Sequence, residues 1–182
     1  MKNVGKRFEQ DLIKSVPDYV GVIRLPDAAQ SFYKSSNLRF SLKNPYDYIL
    51  WCPSTLTLYA LELKTVKGKS ISFERNKDEH GEIHYHQIVG LQNFDRIGEC
   101  VCGFVIEFRE LKTTVFITIS EFLKLQNAIP KKSFNFKDLS TYNVNYLTIN
   151  QTLLKTHYRY DIDTFLKETA LHGGMEVNQN EV

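Results

Sequence analysis

Tyr59-Ala60-Leu61-Glu62-Leu63-Lys64-Thr65 reads as a β-strand with an acid and a base set into an apolar run. Residues two apart share one face of a strand, so Glu62 and Lys64 project together while Leu61 and Leu63 face the other way. An isolated Glu-x-Lys of this kind is most simply a surface ion pair. The strand before it changes the reading. Asp47 lies in Pro45-Tyr46-Asp47-Tyr48-Ile49-Leu50-Trp51, among aromatic and aliphatic neighbours, and Cys52-Pro53-Ser54-Thr55 looks like a hairpin turn between the two strands. A loop centred on Ser54-Thr55 sets Asp47 directly opposite Glu62. Centring it one residue earlier still leaves them on one face, because the side-chain period is two. Two carboxylates and a lysine converge on one patch.

Opposed carboxylates repel, and apolar surroundings make them costly to desolvate unless something neutralises them. A divalent cation does so, and magnesium suits a few carboxylate oxygens with retained waters. Lys64 would then orient or help deprotonate the attacking water, or stabilise charge developing on a phosphate. The two neighbouring helical patterns carry similar exceptions. With about 100° per residue, Glu9 falls within the stripe of Phe8, Leu12, Ile13 and Val16, and Gln87 within that of Ile83, Leu91 and Phe94. One shared site accounts for all of these polar groups together.

Around this centre the pattern predicts a helix over residues 3–15 stopped by Pro17, a strand over 19–25, and strands over 46–51 and 56–66. A polar loop over 67–82, a helix over 83–97 and strands over 101–108 and 113–119 follow. A short helix from about Ser120, an irregular stretch to 149 and a helix over 161–169 complete the chain. This order predicts a mixed α/β sandwich. Residues 26–44 have no steady period and are expected to stand off the core as an extension. Residues 1–172 make one domain, and 173–182 a polar tail.

Composition excludes other classes. No apolar run approaches the roughly 18 residues of a membrane span, and the charged start is unlike a signal peptide, which predicts a cytoplasmic protein. Lys plus Arg number 23 against 21 Asp plus Glu, so any nucleic-acid contact must come from local basic groups. Arg24, Lys34, Arg39 and Lys43 crowd the aperiodic segment, and Lys67, Lys69 and Arg75 line the loop after the Glu-x-Lys strand. Cys52, Cys100 and Cys102 are expected to be buried free thiols. A transition-metal site from His80, His84 and His86 is disfavoured, because His84 and His86 fall on different sides of the expected helix.

Asp47, Glu62-Leu63-Lys64, a Glu-bearing helix before and a Gln-bearing helix after resemble the PD-(D/E)xK nuclease core. Gly5-Lys6-Arg7-Phe8-Glu9-Gln10-Asp11-Leu12, Tyr46-Asp47-Tyr48, Leu61 to Thr65, Ile71-Ser72-Phe73, His86-Gln87-Ile88 and Gly103-Phe104-Val105-Ile106 narrow this. In order and spacing they resemble the RecU family of Holliday junction resolvases, from about Gly5 to Arg159-Tyr160-Asp161-Ile162. The resemblance implies a restriction-endonuclease-like α/β core, a mixed sheet flanked by helices with a stalk at 28–43 between the first two strands. It implies a homodimer that cuts four-way DNA junctions symmetrically with magnesium, for which manganese would substitute. Glu9, Asp47, Glu62, Lys64 and Gln87 would form the active site, with Asp47, Glu62 and the Leu63 carbonyl on the metal. Phe32, Tyr33 and Phe40 would pack against the partner's stalk or stack on bases at the crossover. Against the family, the chain starts only a few residues before its first expected helix, without the usual long basic N-terminal arm, and has Tyr46 where many members carry a hydroxyl residue; compactness and a missing arm would suit a phage or prophage version. The rival expectations are a nuclease of this core acting on ordinary duplex and a recombination-accessory DNA-binding protein without catalysis.

Overall fold

The computed structural model describes residues 4–25 and 44–173. The stalk expected at 28–43, with Lys34, Arg39, Lys43 and its aromatics, lies outside the described residues, as does the end of the chain from 174. The leading elements are α1 (Val4–Ile13), β1 (Gly21–Arg24), β2 (Tyr48–Cys52), β3 (Thr57–Val66), β4 (Ser70–Ser72), α2 (Tyr85–Asp95), β5 (Cys100–Phe108) and β6 (Thr113–Thr118). After them come α3 (Ile119–Ala128), β7 (Ser133–Asn135), α4 (Phe136–Thr141), β8 (Leu147–Ile149), β9 (Gln151–Leu153), β10 (Tyr158–Tyr160) and α5 (Ile162–Gly173).

Six strands form one mixed sheet in the order β1-β2-β3-β5-β6-β8. β2 is antiparallel to both β1 and β3, β3 runs parallel to β5 across the α2 crossover, and β6 and β8 return antiparallel. This is the mixed α/β sandwich, a mixed sheet flanked by helices, expected from the sequence. β3 and β5 are buried on both faces, which is why they read as nearly unbroken apolar runs. On one face Ala60, Phe104, Ile106 and Ile117 pack with Ile88 and Leu91 of α2 and Phe122 and Leu125 of α3. On the other, Tyr59, Leu61, Leu63 and Val105 pack with Phe8 and Leu12 of α1 and Phe165 and Leu166 of α5. The hairpin loop is 53–56, and Tyr48 pairs with Leu61, so the register is the one expected from centring the turn on Ser54-Thr55.

Two stretches differ from expectation. The loop over 67–82 contains β4, which pairs with β7 inside the stretch expected to be irregular. Ile71 and Phe73 are both 1% exposed, but two apolar residues alternating with serine are too short a period to stand out from a polar segment. β1 is an edge strand with all four residues exposed. No helix of the described residues is long and apolar enough to cross a membrane.

Candidate active site

The antiparallel register between β2 and β3 brings Asp47, the residue just before β2, against the middle of the Glu62 segment. The Asp47 N–H donates to the Leu61 carbonyl at 3.1 Å, and its Oδ2 accepts the Leu63 N–H at 2.9 Å. Asp47 therefore holds both chain neighbours of Glu62. Glu62 is 2% exposed. Its Oε1 accepts a short hydrogen bond from Gln87 Nε2 and lies 3.0 Å from Lys64 Nζ.

Burial pushes the Glu62 carboxyl up to about 8; the Lys64 ammonium pulls it down, and the Asp47 and Glu9 carboxylates push it up again. Desolvation wins, so the site favours a proton or a cation at this carboxyl. Glu9 sits on α1, half-buried, with Arg24 Nη2 at 3.7 Å from its Oε2. It reaches the centre through its charge, which acts on Glu62 and on the Tyr48 hydroxyl. Asp47, Glu62, Lys64 and Gln87 are thus brought together, with Glu9 and Arg24 beside them.

Gln87 is placed by an arrangement that the sequence pattern hides. The His84 N–H donates to Gln87 Oε1 at 2.9 Å, which turns the amide donor toward Glu62. His84 N-caps α2 with extended backbone, φ −83° and ψ 147°, so a helical wheel misplaces it: its ring stacks on His86 at 5.4 Å rather than facing away. Its Nδ1 meets Glu74 Oε1 at 2.8 Å, and Glu74 also accepts the Tyr85 and Gly81 N–H groups. The cue is Gln87 itself, three residues after a residue able to start a helix.

The remaining cations divide. Lys67 and Lys69 are exposed immediately after β3. Arg75 lies over the Phe73 ring and donates to the Ile129 and Lys131 carbonyls, so its guanidinium is committed to the chain's own backbone. Cys52 and Cys102 are buried free thiols and Cys100 is half-buried.

The donor set suits one magnesium ion. Two carboxylates stand side by side, and Glu62 Oε2 takes part in neither of the contacts made by Oε1. Among the described residues no group of three His, Cys, Asp or Glu side chains is placed to enclose a metal. A pair of carboxylates completed by waters is the magnesium pattern, whereas a caged transition metal needs more ligands.

No protein-family model matches the chain. Over 132 residues, 71% of its length, it is 32% identical to the SPbeta prophage-derived uncharacterized protein YotM of Bacillus subtilis (strain 168), and the match spans 63% of that protein. Among solved structures it is similar to Hjc, a Holliday junction resolvase from the archaeal hyperthermophile Archaeoglobus fulgidus, at 15% identity and a TM-score of 0.45, covering 75% of this chain and 93% of that one.

Proposed function

We propose that this protein is a magnesium-dependent endonuclease of the RecU type that resolves four-way DNA junctions, acting in the cytoplasm as a homodimer. The observation that carries the reading is Glu62: a carboxyl buried beside a second carboxylate, with a lysine and a glutamine amide both on one of its oxygens. A core that only had to fold would hold an apolar residue there at lower cost.

Asp47, Glu62 and the Leu63 carbonyl would hold the metal, which when bound supplies positive charge for a phosphate oxygen and lowers the pKa of the attacking water. Lys64, fixed against Glu62, positions that water and balances charge building on the phosphate. Gln87 keeps Glu62 from swinging, and Glu9 adds negative charge that would favour a divalent cation at the site. Arg24, Lys67 and Lys69 stand at the same end of the sheet and suit backbone phosphates. In this reading residues 28–43 with Lys34, Arg39 and Lys43 enter the junction, and two protomers give two symmetric cuts.

Incubation with magnesium and either a four-way junction or a matched linear duplex tests the reading, with Asp47→Ala as the inactive control. Paired symmetric nicks confined to the junction are expected. Equal cutting of both substrates would assign the protein to the duplex nucleases, and tight binding without any cutting would make it an accessory factor.

A further inference from the structure

On the face of the sheet opposite Glu62, α1 and the β9–β10 hairpin close a cavity of about 200 Å³. Three cations line it: Arg7 from α1, and Arg109 and Lys112 from the turn that joins β5 to β6. Two acids line it as well, and both are occupied. Asp11 Oδ2 accepts the Tyr158 N–H at 3.1 Å and lies 3.8 Å from Arg7 Nε. Glu107 accepts the Thr65 hydroxyl at 2.6 Å on one oxygen and the Tyr160 hydroxyl at 3.3 Å on the other.

Neither acid neutralises the turn. Among the described residues Arg109 and Lys112 form no ion pair. Arg109 Nε is shielded from solvent and has no hydrogen-bond partner. Arg109 and Lys112 line the cavity, so an anion there would meet charge that no acid neutralises. The wall also touches the catalytic strand: Thr65, which bonds Glu107, directly follows Lys64. Strand pairing puts Arg109 and Lys112 at the same end of the sheet as Arg24, Lys67 and Lys69. A DNA strand crossing that end meets the catalytic groups on one face of β3 and this turn on the other.

We infer that Arg109, Lys112 and Arg7 form a seat for a backbone phosphate of the substrate DNA, one away from the bond that is cut. The inference rests on the nuclease reading for its ligand, and it adds a contact that positions DNA without reading sequence.

The test is binding of the full chain to a fluorescently labelled four-way junction and to a linear duplex, without divalent cation, between 50 and 200 mM salt. Arg109→Gln is expected to weaken both complexes and to lower the slope of log affinity against log salt by about 1. Arg109→Lys, which keeps the charge, is expected to restore most of the slope. Unchanged affinity and slope in an Arg109→Gln protein that melts like wild type overturn the seat. Thermal protection by inorganic phosphate that Arg109→Gln loses, with an unchanged DNA slope, also overturns it in favour of a free-anion site. A wild-type protein that binds DNA but never cuts it defeats the nuclease reading instead, and leaves the salt slope to decide the seat.

Discussion

Glu62 is the residue at which folding and chemistry oppose each other. With its folded pKa pushed up to about 8 by burial, the metal-free protein holds a proton there that an unfolded glutamate, with an ordinary value of 4.5, has released. The native state therefore binds more protons between these values, and its stability falls as pH rises from about 4.5 toward about 8. Glu74 and Glu121 act elsewhere on the scale. Burial pushes both up, but their hydrogen bonds outweigh it and hold them below the usual glutamate value, so their stabilising contribution is lost only in acid. Glu62→Gln, close in shape and never charged, is expected to flatten the decline above pH 4.5 and to abolish cleavage. Urea unfolding in EDTA from pH 5 to pH 8 reads the slope; parallel curves for variant and wild type would mean that Glu62 ionises normally.

Helix α2 is the element that gathers the site, since one end carries Gln87 and its body rests on the turn before Asp47. At Gly90 an added Cβ would lie 2.1 Å from Pro45 Cβ and 3.0 Å from Pro45 Cα, so only glycine lets the helix approach this closely. Glycine to alanine inside a helix ordinarily stabilises by about 1 kcal/mol. Overpacking costs about 1–3 kcal/mol, so Gly90→Ala is expected to destabilise by about 1 kcal/mol net. It should slow cleavage by more than that loss explains, because the shift separates Gln87 from Glu62; urea melts and single-turnover rates measured together separate the two effects. In the sequence position 90 is an indifferent helix residue, because close approach is a tertiary fact with no periodicity of its own. The β2–β3 register is legible for the opposite reason: a short turn and a period of two leave few alternatives, and these two constraints alone set Asp47 beside Glu62. His84 falls between these cases. Its spacing suggests the wrong side of the helix, since the residue before the first turn follows strand geometry. Asp11, buried at 8% exposure while Glu9 is only half-buried, shares the stripe of Phe8 and Leu12, so helical spacing does not tell the acid that bonds the β10 backbone from the one beside Arg24.

For the molecule as a whole, a formal charge of +2 averages a sheet whose one end holds the buried acids and most of the cations argued above. In the proposed reading, a metal at Asp47 and Glu62 would offset the cost of holding two carboxylates together and would bind the folded chain far better than the unfolded one. Magnesium at about ten times its Kd should then add about 1.4 kcal/mol of stability, which for a chain of this size raises Tm by about 3–6 °C. The increment must depend on pH, because proton and cation compete for Glu62: it should be clear at pH 8 and shrink as pH falls toward 6. Thermal melts with magnesium against EDTA at the two pH values measure it, and Asp47→Ala should erase it at both. An increment that persists in Asp47→Ala would place the stabilising ion elsewhere on the protein and remove the metal from the site built around Glu62.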